Sequence, residues 1–139
     1  MNRRVLVPLL SLLACLLVAA PASAAGMTGT WGGETSQDLG LEEPYTTNIG
    51  FSVLNGRIIN VVAEVRMQCG ESSIQDVRVS KSYRTSSGPR LGAKGGFNIT
   101  VQGARIGGKL TRKAGAGNIS ASKGECSGKG SWSVSRRKN

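Results

Sequence analysis

From residue 49 onward the chain repeatedly places an apolar residue at every second position. Ile49, Phe51 and Val53 alternate with polar or small neighbours, and so do Ile59, Val61, Ala63, Val65 and Met67. The alternation returns at Val77 and Val79, at Phe97, Ile99 and Val101, at Ile106 and Leu110, at Ile119 and Ala121, and at Trp132 and Val134. A strand points successive side chains to opposite faces, so each run predicts a strand with one buried face. Helical spacing of apolar residues is not the rule anywhere in this region. The chain is therefore expected to be all-β, with about seven to nine short antiparallel strands in a β-sandwich or small β-barrel.

Parity along the chain places the turns. Odd positions are apolar on both sides of Asn55-Gly56. A three-residue loop, Leu54-Asn55-Gly56, keeps that face intact by pairing Phe51 with Ile59 and Ile49 with Val61. At Gly103-Ala104 the apolar parity changes from odd to even, as a two-residue turn requires; it would pair Val101 with Ile106 and Phe97 with Leu110. Two segments are expected as loops: Thr35 to Pro44, polar and acidic, and Lys81 to Gly96, rich in Ser, Gly and basic residues.

The first 24 residues follow the secretory plan. Arg3 and Arg4 precede the almost unbroken apolar run Val5 to Ala20, and Pro21-Ala22-Ser23-Ala24 supplies the small residues of a cleavage site. The run is shorter than the roughly 20 residues needed to span a bilayer. Leu12-Leu13-Ala14-Cys15 departs from a lipobox at the bulky Leu13, and the apolar run continues past Cys15. Residues 1–24 are read as a signal peptide and 25–139 as a single secreted β-domain, extracellular or, in a Gram-negative cell, periplasmic. No integral membrane segment is expected in the mature chain.

Cleavage changes the cysteine count. Cys15 leaves, and the exported chain keeps Cys69 and Cys126, which can form one intramolecular disulfide. The bridge would close a loop of 57 residues, worth about 4 kcal/mol in the chain-entropy account.

Composition narrows the chemistry. The sequence has no histidine, which excludes Ser-His-Asp and Cys-His nucleophile systems and His-ligated zinc. All 20 glycines follow the leader without a Gly-X-Y period, so the richness in glycine is not collagen. The leader takes two basic residues and no acid, lowering the net charge from +10 to +8. That figure hides an asymmetry. Ala25 to Asp76 holds seven acids against Arg57 and Arg66, whereas Val77 onward holds 14 basic residues against Glu125 alone.

Several motifs have plainer readings. Gly103-Ala104-Arg105-Ile106-Gly107-Gly108-Lys109-Leu110 nearly spells a P-loop, but Leu110 stands at the magnesium-binding hydroxyl and the segment reads as a hairpin. Glu42-Glu43 are adjacent loop residues, whereas glycosidase carboxylates flank the bond from separate elements. Asn98-Ile99-Thr100 and Asn118-Ile119-Ser120 are N-glycosylation sequons, relevant only in a eukaryotic secretory route. Gly29-Thr30-Trp31 resembles the opening strand of lipocalins and avidins, with Trp132 and Arg136 at the comparable closing end. That likeness implies a calycin-like barrel enclosing a small ligand.

Basic side chains supply the remaining chemistry. Arg105, Lys109 and Lys113 share a parity opposite to Ile106 and Leu110, so they are expected on one strand face about 13 Å apart. Lys123, Lys129 and the tail Arg136-Arg137-Lys138 extend that surface. A concentrated positive field attracts anionic polymers or cell-envelope components. Aromatics interleaved with the basic residues, the mark of specific single-strand readers, are sparse.

Beyond single motifs, the chain resembles a group of small secreted bacterial β-domains, common in actinobacteria, that lack an assigned activity. The likeness rests on Gly29-x-Trp31, Phe51-x-Val53 leading into Gly56-Arg57-Ile58, Cys69, Gly96-Phe97 and Ile106-x-Gly108-Lys109-Leu110. It continues with Gly117-x-Ile119, Cys126 and Trp132-Ser133-x-Ser135-Arg136. It implies a compact disulfide-held β-fold and carries no site residues. The expected function is a non-enzymatic secreted structural or interaction module without cofactor, with Arg105, Lys109, Lys113, Arg136, Arg137 and Lys138 as candidate polyanion-binding residues; the plainer reading of the same basic face is a solvated surface that keeps the protein soluble. The alternatives are a small-ligand barrel and a proteinaceous inhibitor of an exported hydrolase.

Overall fold

A computed structural model describes residues 24–40 and 42–138. The leader reading lies outside these residues except at Ala24. That residue opens a short 3-10 turn, Ala24–Gly26, and is itself buried. Eight strands follow: β1 (Gly29–Gln37), β2 (Tyr45–Leu54), β3 (Arg57–Cys69), β4 (Ser73–Ser82), β5 (Gly96–Val101), β6 (Ala104–Leu110), β7 (Ala114–Lys123) and β8 (Cys126–Arg136). All pairings are antiparallel and belong to one sheet in the order β4-β3-β2-β1-β8-β7-β6-β5.

The sheet is two four-stranded meanders joined through β1 and β8. Its far end curls back on itself, because β3 outruns β1 and β2 and pairs with β8 through Gln68 opposite Ser127 and Cys69 opposite Cys126. The two cysteines are disulfide-bonded across this pairing, with Cα atoms 4.0 Å apart. The expected all-β, disulfide-held architecture is therefore present, in a barrel-like form. Strands β4 and β5 form its two unpaired flanks, tied where Ser80 donates its N–H to Gln102 Oε1 at 3.1 Å.

The alternating residues fill the inside. Trp31, Phe51, Ile58, Val61, Val65, Met67, Ile106, Leu110 and Ile119 are all at most 1 % exposed. Phe51, Phe97 and Trp132 form a cluster with ring centroids 5.2–5.8 Å apart, in edge and tilted geometries that suit aromatic quadrupoles. Both buried indoles satisfy their N–H groups. Trp132 donates to Gly107 and Asn118 carbonyls, and Trp31 to the Thr111 carbonyl. Glycine makes room for Trp132: a Cβ at Gly108 or Gly117 would lie 2.5 or 2.7 Å from its ring.

Both turn expectations are corrected. The first hairpin uses Asn55-Gly56 alone, with φ of 49° and 73°, and pairs Val53 with Ile58. A register shift between Ser52 and Val53 absorbs one extra residue on β3, so that Phe51 meets Val61 and Ile49 meets Ala63. Leu54, expected in the loop, instead pairs with Arg57, and the residue left over is Ile59 on β3; it sits in a bulge, so that Ile58 and not Ile59 takes the buried position. The second hairpin turns at Gln102-Gly103, with φ of 49° and 86°, and pairs Val101 with Ala104 and Ile99 with Ile106. Moving a turn by one residue shifts partners by two and leaves each face unchanged, so parity could not separate the two registers. The expected loops are also shorter, since β1 continues to Gln37 and β4 to Ser82.

Candidate anion-binding site

An antiparallel meander sends alternate connections to opposite ends. One end collects the Asn55-Gly56 turn, residues 83–95, the turn 111–113 and the chain's tail 136–138. The other collects residues 38–44, 70–72, 102–103 and 124–125. The charge asymmetry of the sequence becomes an asymmetry of ends. Arg57, Arg84, Arg90, Lys94, Arg112, Lys113, Arg136, Arg137 and Lys138 belong to the first, and no carboxylate occurs in its described segments. Asp38, Glu42, Glu43, Glu71 and Glu125 belong to the second.

At the basic end, five cations converge on one hollow. Arg112, Lys113, Arg136, Arg137 and Lys138 line an open depression of ≈ 730 Å³ together with Gly29. Its frame is fixed by hydrogen bonds. Thr111 donates its N–H to the Ala114 carbonyl at 2.7 Å, and its hydroxyl accepts from the Ala114 N–H at 3.1 Å, which locks the turn carrying Arg112 and Lys113. Arg136 donates its N–H to the Lys113 carbonyl, and Arg137 donates to the Thr30 carbonyl. The tail is thereby held between the turn and β1. The Arg136 guanidinium donates to the Thr28 carbonyl at 2.6 Å and lies 5.5 Å over the Trp31 ring, half engaged in structure and half facing solvent.

Of the six residues singled out from sequence, four therefore meet: Lys113, Arg136, Arg137 and Lys138. Arg105 and Lys109 project from β6 as expected, but Lys113 does not continue their row. Strand β6 ends at Leu110, so Lys113 sits in the following turn, directed to the end of the molecule rather than its side. Arg105 belongs with Lys129 instead. Both lie in register with Ser120 on the outer face of β6, β7 and β8 and border a separate open depression of ≈ 780 Å³ floored by Asn98, Asn118 and Ser131.

Sequence reasoning missed Arg112, which breaks the parity rule but neighbours Lys113 in a turn. It also missed that the tail folds back beside that turn; the signal lay in Trp132-Ser133-Val134-Ser135-Arg136, a strand pattern reaching to within a few residues of the chain's end. No family model, characterised protein or solved structure matches this chain. Among the described residues, no group of three or more Cys, Asp or Glu side chains is placed to hold a metal ion. No described helix is long and apolar enough to cross a membrane.

Proposed function

We propose that this chain is an exported, non-enzymatic β-domain that binds anionic polymers end-on through Arg112, Lys113, Arg136, Arg137 and Lys138. The observation that carries the reading is the convergence of these five cations around Gly29, at an end whose described segments contain no carboxylate. Unopposed cations in a shallow hollow raise the local concentration of any polyanion, and release of its counterions supplies affinity. The open, hydrophilic form of the hollow suits a phosphate or sulfate chain without sequence readout. The likeness to small secreted bacterial β-domains and the disulfide fit a role at the cell exterior, where such a bond persists.

The carrier alternative has one feature in its favour, Arg136 over Trp31 at the mouth of the barrel. Against it stands the interior, which Phe51, Phe97, Trp132 and their aliphatic neighbours occupy. A cup for a drug-sized ligand takes about 300 Å³ or more of enclosed space. The depressions described above are open and lie on the outside.

Heparin chromatography tests the proposal. The protein is expected to be retained above physiological ionic strength, and Arg112→Gln/Lys113→Gln/Arg137→Gln/Lys138→Gln to elute well below it. Arg105→Gln/Lys109→Gln is expected to shift elution much less. Equal elution of wild type and the fourfold variant would refute the assignment to this end.

A further inference from the structure

Strand β4 is an edge left open from Ser73 to Val79, with Gln102 capping it at Ser80. Its only ladder is with β3, and that register runs without a shift from Asn60–Ser82 to Cys69–Ser73. Natural edges are blunted by proline, lysine, a bulge or a covering segment. Between Ile74 and Val79 this strand has neither proline, lysine nor bulge, Lys81 coming only near its end, and Ser73 to Asp76 are exposed. Ile74, 59 % exposed, is the one large apolar side chain so displayed among the described residues.

The free backbone groups can be assigned. Ser80 donates its N–H away from β3, to Gln102. Backbone groups alternate sides along a strand, so Asp76 and Arg78 also direct theirs to the open edge. Their side chains lie on the outer face in register with β3: Arg66 opposite Asp76, and Glu64 opposite Arg78. Both pairs are ionic, at 2.7 Å and 3.5 Å.

We propose that β4 pairs antiparallel with β4 of a second copy about a two-fold axis at Val77, forming a dimer with a continuous sheet. In that register Asp76 faces Arg78 of the second copy and Arg78 faces its Asp76. These are the positions whose backbone groups point outward, so each of the two pairs exchanges two hydrogen bonds. The outer face then carries two alternating rows. One reads Glu64, Arg78, then Asp76 and Arg66 of the second copy; the other is its symmetric equivalent. Self-complementarity is what an isologous contact requires, and directly opposed unlike charges favour it. Any other even-numbered register on this edge sets Asp76 or Arg78 against a neutral residue or its own like charge. The contact is short, so the dimer is of the weak, concentration-dependent class. Antiparallel pairing also directs the two basic ends away from each other, which would let one dimer engage two anionic chains.

Sedimentation equilibrium of the purified protein tests the proposal, with thermal unfolding as the check on folding. The wild type is expected to dimerise below about 1 mM, a range typical of weak contacts. Asp76→Arg and Arg78→Glu, each alone, are expected to weaken self-association by about tenfold or more, because like charges then oppose across the axis. A mixture of the two variants restores opposite charges at both pairs and is expected to recover a heterodimer. A wild type monomeric throughout this range, or a mixture that associates no better than its components, would overturn the proposal. Should either variant unfold, Arg78→Pro removes an outward N–H together with the guanidinium, touches no hydrogen bond of the β3–β4 ladder, and is expected to abolish the dimer while keeping the fold; its continued dimerisation would equally overturn it.

Discussion

Gln37 shows what a single residue does in closing this sheet. It is fully buried at the end of β1, where β3 and β8 approach each other. Its Nε2 donates to the Arg66 carbonyl at 2.9 Å and reaches the Lys129 carbonyl at 3.4 Å, while its Oε1 accepts from the Arg66 N–H at 2.8 Å. One amide side chain thus substitutes for a missing piece of strand. Gln37→Leu leaves the Arg66 backbone groups unpaired in a dry site, which costs about 2–3 kcal/mol. Urea denaturation is expected to show that loss; a change below about 0.5 kcal/mol, the size of an ordinary surface substitution, would contradict this role. Nearby, the Arg66 guanidinium hydrogen-bonds both oxygens of Asp76, stacks on Tyr45 at 3.4 Å and holds the carboxyl below its usual range. Because the folded value is depressed, this contribution is present above the unfolded carboxyl value of about 3.9 and is lost as pH falls through the folded one. Asp76→Asn is therefore expected to flatten the acid limb of a stability–pH curve below about pH 4 and to leave its shape at neutral pH unchanged. An unchanged acid limb would remove Asp76 from the account. Neither role could be read from the sequence, since both depend on which strands meet at one end.

Among the elements, strands were legible and registers were not. Alternation at residues 49–53, 61–67, 99–101 and 119–121 names inward positions that the structure buries, whereas Phe97 is half-buried and Ile59 yields its inward place to Ile58. Alternation does so because a pleated strand facing a core has only two faces to choose between. Register escaped for two distinct reasons. On β3 a bulge at Ile59 takes up the parity change that a longer turn would have supplied, leaving Leu54 paired with Arg57, and on β5–β6 a shift of two positions leaves both faces unchanged. What decides the second turn is backbone conformation: Gln102 and Gly103 both adopt positive φ. Gly103→Val puts a branched side chain at φ 86°, costing roughly 1–2 kcal/mol. A neutral Gly103→Val would contradict the positive φ at this position.

At the scale of the molecule, the sequence displayed an acidic first part and a basic second part, and the meander converts them into two ends. The conversion was hidden because distance along the chain does not say which connections share an end; only the order of strands does. Residues as far apart as Arg57 and Lys138 gather at one end, and Asp38 and Glu125 at the other. Such a molecule has an axis, and an anionic polymer should meet it from one direction. The most direct measurement is the salt dependence of binding to duplex DNA, used as a uniform polyanion. With four or five phosphates neutralised, log K is expected to fall against log salt with a slope of about −4, and the slope should shrink to about −1 when Arg112, Lys113, Arg137 and Lys138 are changed to Gln and Arg136 alone remains of the five. A wild-type slope near zero, or a steep slope that the fourfold variant retains, would contradict the end-on account.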